Sequence, residues 1–165
     1  MGIRASYQQI DDTTLDALLA LEPDDVPDGV EELQERGAPT LDLDKAWDGL
    51  HFLLTGVSAA APVEGDRLSE AVVGVHVIFS DDDEFIGCTE RDELAAIIAA
   101  LEAVALPQLL ESADFGAFDR ADVYPDIWSD DPRVLTAELG DAFRILLEFL
   151  RASAAAGQHV VVSIY

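Results

Sequence analysis

The segment DKAWDGLHFLLTG, Asp44 to Gly56, sets two acids, a histidine and a threonine among apolar residues. At 3.6 residues per turn, Asp44, Asp48, His51 and Thr55 fall in one narrow stripe. Leu43, Trp47, Leu50 and Leu54 take the neighbouring face. On such a helix Asp48 reaches His51 at i+3, orients the ring and raises its pKa, as a general base requires. Thr55, one turn beyond, is placed to hydrogen-bond the other ring nitrogen. Asp48, His51 and Thr55 are therefore the candidate catalytic residues, those of a small hydrolase or transferase. The same pattern has a scaffold reading. Asp44 favours the positive helix N-terminus, Asp48 and His51 tie the helix to a neighbouring loop, and Thr55 returns its hydroxyl to the carbonyl four residues back. The scaffold reading is the stronger, because His–Asp pairs on helices are common structural devices.

Other chemistry leaves little trace. The chain has no P-loop, dinucleotide glycine fingerprint, HExxH or GxSxG elbow, and no cofactor is expected. His76 and His159 sit in expected strands apart from His51, so no metal site is expected. Asp81 to Glu84 lack the alternating spacing and central glycine of a calcium loop and read as a solvated turn. Cys88, the single cysteine, excludes an internal disulfide and reads as a small buried residue. Lys45 and Trp47, together with Tyr124 and Trp128 on an aromatic loop, are the candidate binding residues. Aromatic residues beside Pro125 more often pin a loop onto the core.

The elements that must position these residues follow from periodicity and punctuation. Ile3–Ile10 alternates loosely and is expected as a strand. DDTTLDALLALEP is a helix closed by Pro23, and residues 22–40 form an acidic loop with one short helix around VEELQER. The striped helix comes next and ends at Gly56. Val73, Val75, Val77 and Phe79 share one face of an expected strand, with His76 on the other. Thr89 and Asp92 resemble a capping box before the stripe Leu94, Ile97, Ile98 and Leu101. Residues 107–131 are irregular apart from a helical piece at Phe115 to Ala121. Asp131-Pro132 opens a long helix that ends before Gly157, and HVVVSIY is the strongest strand signal. Strands at both ends and in the middle, with helices gathered between them, indicate an α+β domain.

A chain of 165 residues, half of them apolar, suits one domain over residues 1–165. Its formal charge of −25 lacks the basic footprint of a nucleic-acid binder and would be repelled by an anionic membrane. It suits a basic protein partner, although a uniformly acidic surface also serves solubility alone. No signal-peptide run is visible in residues 1–20, and LAAIIAALEAVALPQLL is broken by Glu102 and Pro107. A cytoplasmic location is expected.

LDLDKAWDGLHFLLTGVS resembles the signature of the YfbM-like family of uncharacterised bacterial proteins. LSEAVVG, FIGCTERDELA, DVYP and GQHVVVSIY follow in the same order, so the resemblance spans nearly the whole chain. The acidic loop at residues 22–40 departs most. The resemblance implies a single compact α+β domain, a mixed sheet packed by helices, and no reaction. Lys45, Trp47, Asp48, His51, Thr55 and Gly56 match a signature and not a mechanism. The leading expectation is a non-catalytic binding or regulatory domain, one version of which is an immunity-type protein with a basic protein partner; the alternative is an enzyme with the Asp48–His51 pair as general base.

Overall fold

The alternation at the start becomes strand β1, Ala5–Ile10, which is covered on both faces. The coordinates, a computed structural model, describe residues 2–165. Strand β5, His159–Ile164, lies antiparallel beside β1, with Ser6 opposite Ser163 and Tyr7 opposite Val162. It is buried along its whole length, which accounts for its run of β-branched residues. Strand β2, Thr40–Asp44, flanks β1. On the other side of β5 lie β4, Phe85–Thr89, and then β3, His76–Ser80, giving the order β2-β1-β5-β4-β3.

Helices cover both faces. Helices α1, Asp12–Leu19, and α2, Val26–Glu35, pack Leu15, Leu18, Val26, Val30 and Leu33 against Ile10, Ile86, Cys88 and Val161. The opposite face carries α3, Trp47–Thr55; α4, Arg67–Val73; α5, Leu94–Glu102; and α8, Pro132–Ala155. Their stripes meet Ala5, Tyr7, Val160, Val162 and Ile164 in the main core, where Trp47, Leu50 and Leu146 are buried. Each large apolar side chain enclosed there contributes about 1.5–3 kcal/mol of transfer free energy. Helices α6, Leu106–Glu111, and α7, Phe115–Arg120, contribute to an aromatic satellite cluster in which Phe115, Phe118 and Trp128 pack on Leu53, Leu135 and Leu139.

The architecture is α+β, as the sequence indicates, and several details differ from expectation. Every strand pairing among the described residues is antiparallel rather than mixed. Helices α5 to α8 return the chain to the end of the sheet where β4 finished, so β5 enters against it. Asp44 is not on the striped helix: it ends β2 at φ 50°, and a turn through Lys45 and Ala46 precedes α3. Val73 belongs to α4, which the Asp66 side chain opens by accepting the Leu68 N–H at 2.8 Å. Gly74, at φ 84°, ends that helix before β3 can begin. The expected capping box is absent. Thr89 closes β4, and the Glu93 carboxylate accepts the Glu90 N–H across a turn that delays α5 to Leu94.

Candidate functional site

Helix α3 begins without a side-chain cap, because its N-cap residue Ala46 carries no acceptor, and the carboxylate at its second residue is turned onto neighbouring segments. Asp48 is buried. It accepts the Ser58 hydroxyl at 2.9 Å, the Ala59 N–H at 2.7 Å and the Tyr124 N–H at 2.8 Å. One carboxylate thus fixes two segments, after α3 and after α7, to the same helix end. Charge-assisted bonds to backbone N–H groups are among the stronger ties available inside a protein. Asp48 makes no hydrogen bond to His51.

His51, one turn on, is fully enclosed at 0% exposure. Its Nδ1 lies 2.8 Å from the Val57 carbonyl and its Nε2 2.7 Å from the Ser69 hydroxyl. A carbonyl only accepts, so Nδ1 carries the proton and Nε2 accepts from Ser69. The Ser69 oxygen in turn accepts the Val63 N–H at 3.0 Å. Burial holds the His51 pKa below its ordinary value, with the Val57 carbonyl and the charges of Asp48 and Asp66 opposing that shift. The ring is neutral and its hydrogen-bonding capacity is spent. Thr55 donates to the His51 carbonyl four residues back at 2.8 Å, and its oxygen stands 3.2 Å from Nδ1. Glycine closes the helix because Gly56 takes φ 80°.

The four candidate binding residues fall into two pairs, Trp47 with Tyr124 and Lys45 with Trp128. Trp47 sits in the core, donates Nε1–H to the Ile3 carbonyl at 3.2 Å and stacks with Tyr124 at a centroid distance of 6.0 Å. The Tyr124 hydroxyl accepts the Ile3 N–H at 2.9 Å. Trp128 is buried, donates to the Val123 carbonyl at 2.7 Å and stacks on Phe115. The aromatic loop is therefore pinned to the core. Lys45 has no ion-pair partner among the described residues.

Lys45 and Trp128 meet again at a groove of about 430 Å³ between the β2–α3 turn, the 125–128 loop and α8. Its floor is apolar, with Leu43, Ala46, Ile127, Leu139 and Ile145, and Asp44, Glu138 and Asp141 stand at its rim. Gly49 permits this packing: a Cβ there would collide with the Trp128 ring and approach Leu139. The groove and the Ser58–Ser69 partners were not singled out by sequence. The available signal for Ser69 was its place on the same helix face as Val72 and Val73, where a buried hydroxyl needs a partner.

Residues 1–163 match the family model described as a domain of unknown function, DUF1877. The chain belongs to this family. The DUF1877 chain is 35% identical over 127 residues to Protein YfbM of Escherichia coli (strain K12), covering 77% of this chain and 75% of that protein. Its fold is similar to the crystal structure of a protein of unknown function, YfbM from Escherichia coli. That match has a TM-score of 0.83 and 31% identity, and covers 98% of this chain and 99% of the other. In the DUF1877 chain no group of three or more His, Cys, Asp or Glu side chains is placed to hold a metal ion among the described residues. Among the described residues no helix is long and apolar enough to cross a membrane.

Proposed function

We propose that this DUF1877 chain is a non-catalytic binding domain of the cytoplasm, immunity-like in its logic, whose partner is a basic protein. The groove beside α3 supports this reading: an apolar floor under a rim of three carboxylates and one lysine, on a chain with a net charge of −25. Apolar contact supplies affinity, and the acidic rim steers a cationic partner into register. Ile145, 40% exposed on the groove floor, is the residue to alter. Immobilised protein is expected to retain a basic protein at low salt, release it at high salt, and fail to capture it as Ile145→Lys. No basic protein retained at low salt refutes the proposal.

One observation favours hydrolysis instead, the 2.7 Å contact between the Ser69 hydroxyl and His51. Nucleophile and base are at bonding distance, but both are enclosed, at 1% and 0% exposure. Substrate entry would require the segment carrying Val57 and Val63 to lift away. Covalent labelling of Ser69 by a fluorophosphonate would establish that reading over the binding one.

A further inference from the structure

On the opposite face of the sheet from His51, a cleft of about 260 Å³ lies between α2 and the ends of β4 and β5. Pro27, Asp28, Glu31 and Gln34 of α2, Glu84 before β4, and Ser163 and Tyr165 line it. Val162 and Ile164 point into the main core, so alternation along β5 turns Ser163 toward this cleft. Ser163 is 2% exposed, and its hydroxyl has no hydrogen-bond partner among the described residues. Its cross-strand neighbour Ser6 is buried on the same face. Asp28, Glu31 and Glu84 form no ion pair among the described residues. Burial and the charges of Asp81, Glu31 and Asp28 push the Glu84 carboxyl above its ordinary range. The Arg4 backbone pairs with Tyr165, but its guanidinium is held on the far side of β1 by Asp42 and Asp44.

A largely buried hydroxyl with no protein partner, lining a cleft with unpaired carboxylates, supplies acceptors that a cation with several N–H donors would satisfy. The carboxylates do not converge closely enough to share a metal ion. Acceptors spread along a cleft lined by α2 and by the ends of β4 and β5 suit separated donors on an alkyl stem, with Tyr165, half open to solvent, offering a ring face for the stem or charge. We propose that this cleft binds an extended organic cation, an alkyl polyamine or the guanidinium-bearing side chain of a peptide, with Ser163 accepting one N–H at its floor. It is a site separate from the groove beside α3.

The test is calorimetric titration at physiological ionic strength with spermidine, and separately with a blocked tripeptide carrying one central arginine. A chain this acidic attracts any polycation, so equal charge must be removed elsewhere as the control. Glu31→Gln with Glu84→Gln is expected to weaken binding by about tenfold or more, whereas Glu111→Gln with Glu148→Gln, on exposed helix positions, changes it little. Ser163→Ala is expected to weaken binding by about threefold or more. Thermal unfolding checks the fold, and neutralising Glu84 relieves repulsion, so the cleft variant melts no lower than the parent. Saturable one-to-one binding of spermidine alone assigns a free polyamine, and of the tripeptide alone an arginine side chain. Binding of neither probe, or an equal loss in both double variants, overturns the proposal.

Discussion

Replacing His51 tests whether the ring is part of the frame. In His51→Ala the Ser69 hydroxyl loses its acceptor and the Val57 carbonyl its donor, because the one Thr55 proton already goes to the carbonyl of residue 51 at 2.8 Å. Orphaning such buried groups costs about 1–3 kcal/mol, and the cavity left by a fully enclosed ring adds about 2 more. The expected loss of about 3–5 kcal/mol is a large share of an ordinary domain's stability of about 5–15. His51→Asn keeps an N–H for Val57 and is expected to lose about half as much. The pH dependence is a second signature. The folded pKa of His51 is depressed by burial, so between it and the unfolded value near 6.5 the unfolded chain binds the extra proton. Stability is fully present above about pH 6.5 and falls as pH drops through that window, by at most about 1.4 kcal/mol per unit. Asp11 and Asp12 are held below their ordinary values by hydrogen bonds from Thr14 and His159, and they contribute only at lower pH, below about 4. Urea unfolding followed by tryptophan fluorescence, at about pH 7.5 and about pH 5.5, reads both effects. A His51→Ala protein as stable as the parent, or a parent slope that His51→Asn leaves unchanged, refutes the reasoning.

Gly49→Ala is expected to destabilise by about 1–3 kcal/mol, because the added methyl drives against the Trp128 ring and Leu139; an unchanged denaturation midpoint would show that α3 does not press on that ring. Cys88, buried among α1 and α2 contacts with its thiol pushed up to about 12 by burial and by Glu90 and Glu93, should not react with Ellman's reagent until the protein unfolds. Reaction of the folded protein as fast as that of a free thiol would contradict that burial.

Legibility followed the reach of each signal. The long helix α8 and strand β5 were readable because their periods run over many residues and proline and glycine punctuate them. Strand β2 was not, since Thr40–Asp44 exposes most of its side chains at a sheet edge and reads as a continuation of the acidic loop. Strand β4 escaped because Gly87 and Cys88 carry little β signal, and only tertiary packing puts Val73 in a helix. At the candidate site, the types and spacing of Asp48, His51 and Thr55 were visible in sequence, and their partners were not. Val57 contributes only a carbonyl, while Ser58, Ser69 and Tyr124 come from segments whose approach no local pattern encodes. Asp44 was misplaced because helical spacing alone continued the stripe past a left-handed residue.

The sheet order carries a consequence for the chain as it is made. β5 joins β1 to β4, so until it is translated the β1–β2 pair and the β3–β4 hairpin have no strand between them. Each would present a bare edge to whatever chain is nearby. The N-terminal half emerges with its buried faces waiting on residues 159–164, and the contact that closes the sheet spans nearly the full sequence. Folding of this domain therefore waits on residues 159–164, and any pause in synthesis before that strand leaves a half-built sheet as the species exposed to chaperones and proteases.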